Sequence, residues 1–231
     1  VWTSRSAAYN WVLYKMEKLV KSIIFDLDGT LVDTLPDIHA ASSEMLKSVN
    51  LEPLPSKQVR SFIGDGIYKL IERCLNVYGV SGSKDASRVF MEYYHANPTT
   101  LSKCYENVEF TLFQLKSRGL KLGICTNKPS NLTNKVVENL NLKKYFETII
   151  CGDTLKVKKP DPRPLFEAIK DLESKPESSI FIGDSEVDMK TALSANVRFW
   201  LFSEGYHRRP LEDLSYDLCF ENFSELEFIL G

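Results

Sequence analysis

Val20 to Phe25 is a short run rich in β-branched and aromatic residues, and it stops at Asp26-Leu27-Asp28-Gly29-Thr30. Such a run reads as a buried strand that delivers two carboxylates, one residue apart, at its carboxyl end. Buried carboxylates are costly unless cations or hydrogen-bond donors meet them. Gly29 lets the chain turn where a side chain could not. Open α/β sheets bind ligands at this edge, so a nucleophile-plus-acid pair or a metal site is the functional reading. An ordinary Asp-Gly turn is the plain alternative.

The remainder of the chain alternates between helical and strand patterns. Thr34 stands as an N-cap and Pro36 in the first turn of a helix carrying Ile38, Ala41, Met45 and Val49. Ser56 is expected to cap a short helix through Phe62, and Gly64-Asp65-Gly66 interrupts it. Ile67, Leu70, Ile71, Cys74, Leu75 and Tyr78 mark an amphipathic helix ended by Gly79 and Gly82, and Lys84 to Asn97 is helical up to Pro98. After Cys104 strands return. A helix through Val108, Leu112 and Leu115 closes at Gly119, and Leu120, Leu122 and Ile124 alternate into a strand ending at Thr126-Asn127. A helix over Ser130–Leu140 precedes a strand at Thr148–Cys151, and a helix follows from Pro164. A strand at Ser179–Ile182 ends at Gly183-Asp184. Next come a helix over Glu186–Ala195, a strand near Val197–Phe202, and a last helix with Ser224 and Glu227 as a capping box.

This order predicts an α/β fold: a Rossmann-like parallel sheet flanked by helices, with a small all-helical cap inserted after the first strand. The expected boundaries are a core of 16–35 and 102–231 and a cap of 36–101. Residues 1–15 carry Arg5, Lys15 and two tryptophans but no acid, and read as a short extension; an organelle transit peptide is the less favoured reading. Right-handed crossovers bring the polar strand ends to one edge.

The 231 residues suffice for such a core, and a net charge of -2 gives no argument for nucleic acid or an anionic membrane. The five cysteines lack any C-x-x-C pair, which points to reduced thiols and a cytoplasmic setting. No apolar run approaches the length of a membrane span.

At the shared edge, Asp26 and Asp28 are met by Thr126, at a helix entrance that favours an anion. Lys159 arrives from a proline-rich turn. Asp184 and Asp188 lie on one side of a helix start. Singly, each has a bland role as cap, loop lysine or first-turn charge. Together they form a site for a divalent cation and a phosphoryl group.

On these residues the chain resembles the haloacid dehalogenase superfamily, close to its phosphoglycolate phosphatases. The signature motifs occur in order as Asp26-Leu27-Asp28-Gly29-Thr30, Thr126-Asn127, Lys159-Pro160 and Gly183-Asp184-Ser185-Glu186-Val187-Asp188. The resemblance implies that Asp26 attacks phosphorus to form an aspartyl-phosphate, and that Asp28 protonates the leaving oxygen and then takes a proton from water. It implies Mg²⁺, which suits hard oxygen ligands, held by Asp26, the Asp28 carbonyl and Asp184. Asp188 would orient water or Lys159. Thr126, Asn127 and backbone groups of Gly29 would hold phosphoryl oxygens, with Lys159 neutralising charge.

The Gly64-Asp65-Gly66 loop lies where the family's cap reads its substrate, a small phosphorylated metabolite, with 2-phosphoglycolate favoured. Arg60 and Lys69 are the preferred cap cations for its carboxylate, ahead of Tyr68 and Tyr94. Asp65 replaces a histidine common in related enzymes, and Tyr105-Glu106-Asn107-Val108 replaces a Tyr-Pro-Gly-Val turn, with Asn107 expected to take unusual backbone angles and cap the helix. Other readings are a pyrophosphate, nucleotide or sugar-phosphate hydrolase, a β-phosphoglucomutase-like mutase, or, least favoured, a silent scaffold. A monomer or homodimer is expected.

Overall fold

A computed structural model describes residues 20–81 and 84–230; the expected extension over 1–15, the start near Met16 and the helix stop at Gly82 lie outside them. Six parallel strands form the main sheet in the order β5-β4-β1-β6-β7-β8. They are β1 (Ser22–Phe25), β4 (Lys121–Cys125), β5 (Thr148–Ile150), β6 (Ser179–Gly183), β7 (Arg198–Phe202) and β8 (Leu218–Phe220). β1 is central: Phe25 lies opposite Ile124 of β4 and Ile182 of β6, so Asp26 emerges beside the ends of both neighbours.

Alternation along each strand explains the layers. Ile23 and Phe25 join one apolar cluster with Ile180, Ile182, Trp200 and Phe202, covered by α5 (Val108–Ser117), α6 (Ser130–Asn139) and α9 (Glu225–Ile229). Ile24 points the other way, with Phe181, Phe199 and Leu201, against α7 (Arg163–Asp171) and α8 (Glu186–Ala195). Strands buried on both faces read as continuous apolar runs, which is the pattern β1 and β6 show.

Between β1 and β4 the chain builds a helical block from α1 (Leu35–Ser48), α2 (Ser56–Arg60), α3 (Ile67–Asn76) and α4 (Lys84–Ala96). It has its own apolar cluster, including Ile38, Met45, Val59, Leu70, Leu75, Phe90 and Tyr94, into which Leu132 and Tyr206 reach from the sheet side. The chain enters and leaves the block through a two-stranded antiparallel pair, β2 (Val32–Asp33) and β3 (Lys103–Cys104). Buried Asp37 reinforces the exit, where its carboxylate accepts from the Leu101 and Ser102 N–H groups and the Ser102 hydroxyl.

Several caps differ from expectation. Ser224 does not form a box with Glu227; its hydroxyl donates to Asn222, and Glu225 accepts the Glu221 and Asn222 N–H groups instead. The helix there is only Glu225–Ile229, so Glu225 rather than Glu227 meets the incoming backbone. A full capping box occurs at Ser185 and Asp188. Thr34 occupies the N-cap of α1, but its hydroxyl has no partner; Asp33 and the Tyr206 hydroxyl accept from the Leu35 N–H. Ser56 is the first residue of α2, after Pro55 at the N-cap. Asn107 takes the left-handed conformation at φ 64°, yet its side chain leaves the helix uncapped and donates to Asn222.

Candidate active site

The carboxyl ends of β1, β4 and β6 converge, and the resulting geometry is dominated by charge. Lys159 Nζ, almost fully buried, lies 2.6 Å from Asp188 and 2.9 Å from Asp26. Oxygens of Asp26, Asp184 and Asp188 lie within 4.8 Å of one another. One lysine cannot neutralise three buried carboxylates, and protonation equilibria register the deficit. Asp26 is pushed up to about 7, chiefly by burial; Lys159 opposes this and Asp188 and Asp28 add to it. Asp184 is raised well above the ordinary carboxylate range by burial, with Asp188 and Asp26 beside it. Lys159 is correspondingly raised: burial favours its neutral form, but Asp188 and Asp26 outweigh it.

Each carboxylate is aimed by its neighbours. Asp184 accepts from the Thr30 hydroxyl and the Tyr206 N–H, both at 2.6 Å. Asp188 accepts from Lys159 with one oxygen and from Ser185 with the other. Asp26 Oδ1 makes a charge contact with Lys159 without an aligned hydrogen bond. Two glycines let the backbone close around Asp184: a Cβ on Gly29, at φ +88°, would lie 2.5 Å from its Oδ2, and one on Gly205 would lie 2.1 Å from its Cβ.

A hard divalent cation fits this donor set, which offers carboxylate oxygens, excess negative charge and an Asp26 oxygen without an aligned donor. The cluster comprises Asp26, Asp184 and Asp188; the Asp28 carboxylate stands apart and accepts from Lys128 Nζ at 2.8 Å.

Beside the cluster opens a cavity lined by Asp26, Asp28, Thr126, Asn127, Lys128 and the Gly64 to Leu70 end of the helical block. Thr126 is buried, and its hydroxyl accepts from the Lys128 N–H. Asn127 donates to the carbonyls of Gly64 and Lys159, joining the helical block to the sheet edge, while its Oδ1 is buried without a partner.

Comparison with known proteins agrees with this geometry. The family model described as haloacid dehalogenase-like hydrolase matches residues 23–202. The chain belongs to the haloacid dehalogenase-like hydrolase family. It is 40% identical over 212 residues to a phosphoglycolate phosphatase of Cereibacter sphaeroides, covering 90% of this chain and 96% of that one. It is 34% identical to a phosphoglycolate phosphatase of Rhodospirillum rubrum, covering 91% of each. A crystal structure of a predicted phosphoglycolate phosphatase from Haemophilus somnus superposes with a TM-score of 0.87 at 30% identity, covering 92% of this chain and 99% of that one. The expectation of a phosphatase of this family is thus borne out. No helix among the described residues is long and apolar enough to cross a membrane.

Within this haloacid dehalogenase-like fold, some expected contacts are redirected. The Gly29 N–H donates to the Val32 carbonyl, so it is spent on the turn and not free for a phosphoryl oxygen. Arg60 turns away from the cavity: its guanidinium donates to the Gly205 carbonyl and stacks on Tyr206 at 5.7 Å. Lys69 is exposed and pairs with Glu72 one helical turn on. Tyr68 is 68% exposed, and Tyr94 is fully buried beneath Lys128. Asp65 is held between Arg73 at 2.6 Å and Arg208 at 2.8 Å. Burial disfavours its charge, but the two guanidiniums outweigh burial and hold its carboxyl below the ordinary value. Asp65 therefore ties the block to the loop after β7 and presents no free charge to the cavity.

The sequence reading missed Lys128 and Tyr206, and quoted Thr30 in the first motif without foreseeing its hydrogen bond to Asp184. Lys128 had a signal, since it directly follows Thr126-Asn127. Tyr206 had none, because it contributes a backbone N–H to Asp184.

Proposed function

We propose that the protein is a Mg²⁺-dependent phosphate monoester hydrolase that acts through an aspartyl-phosphate on Asp26, with 2-phosphoglycolate as its substrate. The observation that carries the reading is the Asp26–Lys159–Asp188 array beside Asp184, facing the cavity that also receives Asp28. Asp26, Asp184 and the Asp28 carbonyl would hold the ion, and Asp188 would serve chiefly to orient Lys159. When bound, Mg²⁺ offsets the repulsion between an anionic nucleophile and an anionic ester.

Asp26 directly follows the central strand β1 and its N–H is bonded to the Ile182 carbonyl of β6, so its carboxylate is positioned for attack on phosphorus. Lys159 stabilises charge on Asp26 and on the phosphoryl oxygens. The Thr126 hydroxyl donates to a phosphoryl oxygen. Asp28, two residues beyond Asp26, hands a proton to the leaving oxygen and then receives one from the hydrolytic water. The glycine loop of the helical block limits the leaving group to a small one and screens the site from bulk water.

The phosphoglycolate assignment draws on the names of the relatives at 34–40% identity. The experiment is a kcat/KM comparison, with Mg²⁺ present, across 2-phosphoglycolate, hexose phosphates, nucleotides and pyrophosphate, for the wild type and Asp26→Asn. Phosphoglycolate should rank first, and the folded variant should be inactive. Substantial turnover by that variant would overturn the mechanism; a low rank for phosphoglycolate would overturn only the substrate.

A further inference from the structure

Lys128 is a fully buried ammonium on the wall of the active-site cavity. Its Nζ donates to Asp28 and to the Tyr94 hydroxyl, and it sits 4.6 Å from the centroid of the Tyr94 ring. An ammonium has three donors, so one remains uncommitted by these contacts. Ile38, Ile63, Ile67 and Leu70 give the cavity an apolar part to its lining.

The other cations near this mouth are engaged elsewhere. Arg60 holds the Gly205 carbonyl, Arg73 and Arg208 hold Asp65, and Lys158 donates to the Asp65 carbonyl. Among the described residues lining the cavity, Lys128 alone carries a positive charge.

We propose that Lys128 is the specificity-determining residue that receives the anionic end of the leaving group. The site then selects short phosphate esters whose alcohol carries a carboxylate, and its apolar lining disfavours polyhydroxylated ones, whose hydroxyls would go unpaired there. Tyr94 positions the ammonium from below. The inference rests on phosphate ester hydrolysis at Asp26.

The test compares 2-phosphoglycolate with its neutral isostere, 2-phosphoglycolamide, by kcat/KM with Mg²⁺ present. Wild type should prefer the carboxylate about 100-fold, in line with removal of a partner from a buried charge pair. In Lys128→Met both rates fall, but the preference should collapse to less than about 5-fold. Lys128→Gln, which retains a donor for Asp28, should show the same collapse and serves if the Met variant does not fold. A preference unchanged in either folded variant would overturn the assignment and leave Lys128 as a partner of Asp28 alone. Equal rates in the wild type would overturn it without any variant, while the phosphatase reading survives. No hydrolysis of either ester, nor of p-nitrophenyl phosphate, by the wild type would instead sink the phosphatase reading.

Discussion

Replacing Asp26 by asparagine should make the metal-free protein more stable. Asp26 is 7% exposed, and its carboxyl is raised from 3.8 to about 7 because burial and the neighbouring carboxylates outweigh Lys159. A native pKa above the unfolded value means that the folded state binds more protons between those pH values. The wild type therefore gains stability as pH falls from about 7 toward 4 and carries the full penalty above 7. The shift spans about three pH units at 1.36 kcal/mol each, or roughly 4 kcal/mol. Asp26→Asn removes the charge in a side chain of the same shape, so it imitates the protonated form at every pH. It also relieves Asp184, which Asp26 repels.

The assay is urea or thermal unfolding of both proteins in EDTA from pH 8 to pH 4. Asp26→Asn should be more stable by up to about 4 kcal/mol at pH 8, roughly 8–15 °C in Tm for a chain of this size, with the gap closing toward zero by pH 4. Saturating Mg²⁺ should narrow or reverse the gap, adding about 2.7 kcal/mol to the wild type at 100 times its Kd. A variant no more stable than wild type at pH 8, or a gap independent of pH, would refute the reasoning.

Three further outcomes follow from the same geometry. Mg²⁺ binding at pH 6 should release protons and weaken as pH falls below 7, because Asp26 must ionise to ligate; calorimetry in buffers of different ionisation enthalpy measures the release, and none at pH 6 contradicts it. Gly205→Ala would push a methyl into Asp184, so it should destabilise by about 1–3 kcal/mol and weaken Mg²⁺ binding at least tenfold; unchanged Mg²⁺ affinity argues that Asp184 is not a ligand. The Asp65–Arg208 pair should give a coupling of about 1 kcal/mol at pH 7 in a double-mutant cycle. Because the native Asp65 carboxyl is held low, that coupling should persist down to the ordinary value of 3.8 and disappear only below it; zero coupling at pH 7 would show that Asp65 and Arg208 do not tie the helical block to the loop after β7.

The elements that carry the core were legible because their signals are local. Ile23 to Phe25 and Ile180 to Ile182 are continuous apolar runs, as strands buried on both faces require, and both become strands. The helix expected over Glu186–Ala195 forms with those bounds. β8 was missed because Leu218-Cys219-Phe220 has no β-branched residue, unlike the equally short Thr148-Ile149-Ile150 of β5, and β2 and β3 are shorter still. The Ser224 box has the right spacing, but the Asn222 side-chain oxygen takes the Ser224 N–H that Glu227 would have accepted, and the Ser224 hydroxyl as well.

By itself the sequence determined the alternation of strands and helices and the order of the strand-end residues. It thereby brought Asp26, Thr126, Lys159 and Asp184 to one sheet edge, since parallel crossovers leave few other outcomes. Only the tertiary structure decided how the surrounding charges pair. Arg60 reaches Gly205, Asp65 meets Arg208, Lys128 meets Asp28, and the Tyr206 backbone holds Asp184. Each of these contacts joins residues 100 to 145 positions apart or, for Asp184 and Tyr206, runs through a main-chain N–H that any residue other than proline supplies. Periodicity and spacing report a residue's own element, whereas the partner of a long, flexible cation is set by which donor and acceptor the packed fold leaves within reach.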